Sequence, residues 1–165
     1  MIHQLSYQTT DLQLLPLQKA HATFIKLLLN TTGWLNNIGN RHVYTLNDAH
    51  RYIEKTEQIP AAYYWVIFHK QTQQCVGLNT MLKRNYLPHA DIGFALLPQF
   101  MGKGIAYQST QILLQKQLPI WGTIAGITLP ANSPSINLLS KLGLVFKRSM
   151  QQDNEWLLVF ETVNS

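Results

Sequence analysis

The chain has 165 residues, which suits one domain (1–165) with a real core, and its 46% hydrophobic and 13% charged content excludes a disordered, acidic or fibrous chain. No apolar run is long enough to cross a membrane, the N-terminus lacks a basic segment followed by an apolar core, and the single Cys75 excludes an internal disulfide or a cysteine-based metal cluster, so a soluble cytoplasmic domain is expected. The net charge of +5 is uneven: between Gln58 and Gln152, Asp91 is the one carboxylate among eight Lys and Arg residues, a basic half that suits nucleic acid or a polyphosphate cofactor.

In chain order, Gln4 to Pro16 alternates weakly and predicts a strand. Leu17 to Asn30 has helical spacing, and Thr31-Thr32-Gly33 breaks it. A second helix over Ala49 to Gln58 is capped by Asn47 or Thr45 and closes before Pro60. Ala61–His69 and Cys75–Lys83 are strands joined by the polar turn Gln71–Gln74, a hairpin. Asp91 to Leu97 is a third strand of this half, ended by Pro98. A helix over Gly102 to Gln117 is stopped by Pro119, and Gly122 to Leu129 is a buried strand. A short helix follows, with Ser133 as cap, Pro134 at the first position and Gly143 as terminator. Leu144–Met150 and Trp156–Thr162 form two last strands around the turn Gln151–Asn154. The order β-α-α-β-β-β-α-β-α-β-β implies an α+β, mixed α/β sheet.

The segment from Asp91 to Ala106 carries the chemistry. A strand ends, a Gly-rich turn follows and an amphipathic helix begins. First-turn amides of a helix lack intrahelical partners and, with the helix dipole, attract anions. Gly102 and Gly104 permit close backbone approach, and Lys103 adds charge. A tight turn needing small residues is the plain structural alternative. The P-loop pattern fails, with Leu97 where its first Gly belongs and Gly104 where its hydroxyl belongs. The dinucleotide fingerprint fails too, with Tyr107 at its third glycine and no acid between Trp121 and Thr128.

Met101-Gly102-Lys103-Gly104-Ile105-Ala106 resembles the acetyl-CoA loop of the GNAT N-acetyltransferases, Gln/Arg-x-x-Gly-x-Gly/Ala, with Met101 at the usual Gln or Arg position. Gln99 to Gly104 also satisfies the pattern, but the flanking Ile92-Gly93-Phe94 and the following helix favour the first register. Asp11–Leu17, Trp34–Gly39, Val43–Tyr52 and Thr128–Leu144 are similar to segments of the branch containing ribosomal-protein N-terminal acetyltransferases (RimJ/RimL-like). The resemblance implies a GNAT fold, a twisted mixed sheet of six to seven strands flanked by about four helices. It implies transfer from acetyl-CoA to an amine, on a protein N-terminus or a small molecule, by direct attack.

By the same resemblance, the amides of Met101, Gly102, Lys103, Gly104, Ile105 and Ala106 hold the pyrophosphate. Phe94, Ala95 and Leu96 pair with the pantetheine arm, and Asn132 hydrogen-bonds it. Asp91 stands where relatives commonly carry Glu and is the first choice as base, with His89 and Glu54 as alternatives; its structural alternative is a strand-end cap or a pair with Lys83 or Arg84. Ser135 is a donor for the leaving thiolate or a helix cap, ahead of Tyr107 and Tyr86. Trp34 and Tyr52 lie in the helical part that covers the acceptor. The six His residues offer no metal-ligand pattern. No nucleic-acid, membrane or metal partner is implied. The rivals are a non-catalytic CoA-binding module and a basic nucleic-acid-binding domain.

Overall fold

Thr9 turns the chain back on itself early: its amide donates to the Leu12 carbonyl at 2.9 Å and its hydroxyl accepts from the Leu12 amide at 3.0 Å. The computed structural model, which describes residues 5–164, therefore has β1 (Tyr7–Gln8) and β2 (Leu12–Pro16) as an antiparallel pair where one strand was expected. Gln4, the expected first residue of that strand, lies outside the described residues.

After a 3-10 turn, α1 spans Ala22–Leu29. Thr31 does more than break it. Its hydroxyl accepts from the Trp34 amide at 3.3 Å and caps a further short helix, α2 (Thr32–Asn37). The helix α3 (Leu46–Glu57) starts on a capping box, in which Thr45 accepts from the Asp48 amide and the Asp48 carboxylate accepts from the Thr45 amide. The strands β3 (Ala62–His69) and β4 (Gln74–Leu82) form the expected hairpin, and β5 is Ala90–Leu96.

The next helix, α4 (Ile105–Trp121), contains Pro119 rather than ending before it. A proline in the last turn removes one ladder bond only, and Gly122 (φ +71°) ends the helix. Then come β6 (Ile124–Thr128) and α5 (Ser133–Lys141). Asn132, not Ser133, caps α5, accepting from the Ser135 amide at 3.3 Å. Finally β7 (Leu144–Gln152) and β8 (Glu155–Thr162) meet at Asp153-Asn154, both with positive φ. That is a two-residue hairpin loop, tighter than the four-residue turn expected.

The sheet order is β1-β2-β3-β4-β5-β6-β8-β7. Among the described residues only β5 and β6 pair in parallel, and α4 connects them. The eighth strand comes from the early hairpin and the fifth helix is α2. One face carries Trp65, Met81, Ile92, Ile124 and Phe160, packed with Leu113 and Leu114 of α4 and Leu139 of α5. The other carries Val66 and Leu78, packed with Ile25 and Leu28 of α1 and Ile53 of α3.

Packing between β4 and β5 leaves no room at Gly77, where a Cβ would lie 2.5 Å from the Ala95 carbonyl oxygen. Backbone cannot yield as a side-chain tip can. Gly77→Ala is expected to destabilise the fold by about 1–3 kcal/mol, read as a lowered urea midpoint; an unchanged midpoint would contradict this close approach.

Candidate active site

The strands β5 and β6 pair at Ala90–Ile124 and Asp91–Ala125 and then part. From Ile92 to Leu96 the edge of β5 that faces β6 has no strand partner, although its other edge remains paired to β4. Asn79 reinforces the separation: its Nδ2 donates to the Gly93 carbonyl at 3.1 Å and to Thr110 Oγ1 of α4 at 3.0 Å. Phe94, Ala95 and Leu96 therefore lie along an open backbone edge in the sheet's interior.

That edge runs into the glycine turn. Gly102 (φ +72°) and Gly104 (φ +76°) both occupy the left-handed region. A Cβ on Gly102 would meet nothing within 4 Å, and one on Gly104 only Gln108 Nε2 at 4.0 Å. The glycines thus serve the backbone angle and keep the space outside the turn clear. Side-chain caps close the starts of α2, α3 and α5, while α1 and α4 start without one. The first ladder bond of α4 runs from Gln108 to Gly104 at 3.0 Å, leaving the amides of Ile105, Ala106 and Tyr107 without intrahelical acceptors. Two cations flank this turn. Lys103 Nζ sits 5.6 Å from the centroid of the Phe100 ring, and Lys141 of α5 sits 4.4 Å from that of Tyr107. Met101 is exposed and reaches toward Gly33 of α2. Donor amides, clear space and an open strand edge fit the diphosphate and amide-bearing arm of coenzyme A.

Asp91 lies at the root of the cleft, 2% exposed, with Oδ1 accepting from Arg84 Nε at 2.7 Å. Burial pushes its carboxyl above the usual range, and the Arg84 guanidinium pulls the other way. Lys83 does not join the pair; its ammonium donates to the carbonyls of Leu87 and Pro88. Register places Asp91, Ala125 and Glu161 in one row on one face, with Glu161 paired to Arg148 at 3.3 Å. The same face carries the row Tyr64, Thr80, Gly93. Burial raises the Tyr64 hydroxyl, with the Arg84 and Arg41 charges opposing, and pushes Tyr52 up to about 12. Arg84 also lies 6.0 Å from the centroid of the Tyr86 ring. The site face therefore gathers arginines and tyrosines around one buried carboxylate.

The remaining predicted residues are placed as follows. Asn132 uses its oxygen as a cap, which leaves Nδ2 as a donor beside the end of β6. Ser135 is in the first turn of α5. His89 directly precedes β5, and Glu54 is engaged by Lys19 at 2.6 Å on the outside of α3. Trp34 is buried, with an indole N–H that finds no acceptor among the described residues. Thr80, Tyr64, Arg41, Glu161 and Lys141 were not found from sequence. Each depends on strand register or helix docking; the alternation in β3 and β4 was the only available signal.

A mostly antiparallel mixed sheet that opens at its one parallel pair, with a glycine turn and free helix amides at the carboxyl end of β5, makes a cleft able to accept an anionic coenzyme. The description "Acetyltransferase (GNAT) domain" matches residues 11–145, and the chain belongs to that family. It is an N-acetyltransferase that moves the acetyl group of acetyl-CoA to an amine. Among solved structures it is similar to a ribosomal-protein-S5-alanine acetyltransferase from Vibrio fischeri, with 18% identity, 97% of each chain covered and a TM-score of 0.80. The ribosomal L7/L12 alpha-N-protein acetyltransferase RimL, solved with coenzyme A, shares 18% identity over 94% of this chain and 96% of its own, with a TM-score of 0.80. A spermidine N-acetyltransferase chimera from Vibrio cholerae and human shares 17% over 93% and 96%, with a TM-score of 0.76. No match is found among curated protein sequences.

Gly104→Val forces a β-branched residue into positive φ and fills the space outside the turn. It is expected to weaken acetyl-CoA binding by about tenfold or more, roughly 1.4 kcal/mol, in calorimetry on protein whose circular dichroism is unchanged. Wild-type affinity would place the diphosphate elsewhere.

Proposed function

We propose that the enzyme acetylates the N-terminal amine of a protein or peptide, by direct attack in a ternary complex in the cytoplasm. The observation that carries this reading is the layout of the cleft: an open edge of β5 leading from the glycine turn to Asp91. The ribosomal-protein acetyltransferases among the similar structures support a protein acceptor. So does the site face, where the charges of Arg41 and Arg84 disfavour the several positive charges of a polyamine. No helix among the described residues is long and apolar enough to cross a membrane.

When bound, acetyl-CoA supplies the acetyl group as a thioester. The amides of Gly102, Lys103, Gly104, Ile105 and Ala106 hold the diphosphate, while that of Met101, expected to join them, already donates to the Pro98 carbonyl at 3.2 Å; Lys103 and Lys141 are available to the 3′-phosphate. Phe94, Ala95 and Leu96 align the arm on the open edge, and Asn132 Nδ2 donates to it. Holding both reactants together lowers the barrier by several kcal/mol, on the order of those measured for oriented intramolecular reactions. Asp91 takes the ammonium proton through water, because a short buried side chain does not reach the cleft directly. The nitrogen lone pair forms the C–N bond, the C–S bond breaks with its electrons left on sulfur, and the second proton that the nitrogen sheds passes through the Ser135 hydroxyl to that sulfur.

Asp91→Asn is expected to lower kcat by roughly 10²–10⁴-fold with little change in acetyl-CoA affinity; unchanged turnover removes Asp91 from the mechanism. A base works ionised, so kcat/KM should rise with pH through the raised Asp91 pKa, above the usual aspartate range. Arg84→Gln removes the opposing charge and should move that limb higher still. Thiol release with N-terminal peptides, spermidine and aminoglycosides tests the acceptor. Preference for spermidine overturns the peptide assignment, and acetyl-CoA binding without release for any amine leaves only a CoA-binding module.

A further inference from the structure

We propose that Thr80 is a catalytic residue whose hydroxyl passes the acceptor's proton to Asp91. The inference rests on the acetyltransferase reading and deepens it. Thr80 is opposite Gly93 in the β4–β5 ladder, and its Oγ1 lies only 2.4 Å from where a Cβ on residue 93 would sit. The missing side chain of Gly93 is therefore what admits this hydroxyl. Gly93 is also the second residue of β5 beyond its last pairing with β6, so the hydroxyl stands at the point where the cleft opens.

Thr80 is half-buried, and its hydroxyl makes no hydrogen bond among the described residues. It is on the face of Asp91, one diagonal step away across the ladder. Diagonal neighbours lie about 7–8 Å apart, their Cβ atoms somewhat closer, a gap that one water can bridge between Oγ1 and a carboxylate. Arg84 engages Oδ1 of Asp91, which leaves Oδ2 for that water.

The other groups around Asp91 are less suited. Arg84 from the β4–β5 turn and Arg41 from the loop before α3 remain cations. Burial raises Tyr52 of α3, Tyr64 of β3 and Tyr86, so they stay neutral hydroxyls, and Tyr64 lies one strand farther from Asp91 than Thr80 does. Glu161 of β8 is engaged by Arg148 of β7, and Asp153 is in the exposed β7–β8 turn near Tyr86. In the proposed step the ammonium gives one proton to Thr80 Oγ1 while the hydroxyl's own proton moves through water to Oδ2. The acceptor becomes a neutral amine, Asp91 a carboxylic acid, and Thr80 is unchanged.

Thr80→Val keeps the branched shape over Gly93 and removes the hydroxyl, whereas Thr80→Ser keeps the hydroxyl. The valine variant should lose about 10–100-fold in kcat, with the acetyl-CoA dissociation constant and urea midpoint near wild type, and the serine variant should recover most of the loss. Independently of turnover, the Asp91 carboxyl followed by carbon NMR should titrate at higher pH in Thr80→Val, since the ionised form loses its water-linked donor. Wild-type kcat in the valine variant, an equal loss in the serine variant, or an unmoved Asp91 titration would each overturn the role. If wild-type protein releases no thiol with any amine, the acetyl-transfer reading is what fails, and the NMR comparison alone then decides the Thr80–Asp91 link.

Discussion

The seam between β5 and β6 is two residue pairs long, and the site depends on its shortness. Parallel strands cannot be joined by a tight turn, so the chain must cross over through a helix. That helix, α4, necessarily starts at the carboxyl end of β5, where the two strands have already separated. The glycine turn and the open edge thus meet at the mouth of one cleft, while Asp91 remains at its root, where the strands still pair. One topological requirement brings together an anion site, a strand-like groove and a carboxylate.

Burying Asp91 is costly, and the Arg84 ion pair offsets that cost. Other cations of the basic half also have internal tasks. Lys70 donates to the Thr9 carbonyl at 2.7 Å, Lys83 ties the turn before β5, and Arg148 holds Glu161. What remains near the cleft is narrower than the composition implied, chiefly Lys103 and Lys141. The positive charge is therefore partly a device for holding strand connections and partly a field at the mouth of the cleft.

Most elements were legible because their periodicity and punctuation agree. The hairpin around Gln71–Gln74, the helix after Gly104 and the last two strands fall within a few residues of their expected bounds. Misreadings occurred where one residue had two local uses. Thr31 ends a helix and caps the next, Asn132 outcompetes Ser133 as a cap, and Pro119 is tolerated in a final turn. The glycine turn was legible because its chemistry is contiguous in sequence. The Asp91 row and the Tyr64–Thr80–Gly93 row were not, because adjacency across strands is set by register.

The outer borders of the sheet are blunted by different means. One border, β1, is two residues long. The other, β7, is nine residues long and exposes Val145 and Phe146, but a bulge interrupts its register at the exposed Lys147. Short edges, bulges and lysines all discourage another chain from docking as an extra strand. The protein thereby restrains strand addition at its margins, where it would lead to self-association, and leaves backbone unpaired in a sheltered interior notch. A single architectural economy guards the margins against aggregation and leaves the one open edge where only something slender enough to enter between two strands can reach it.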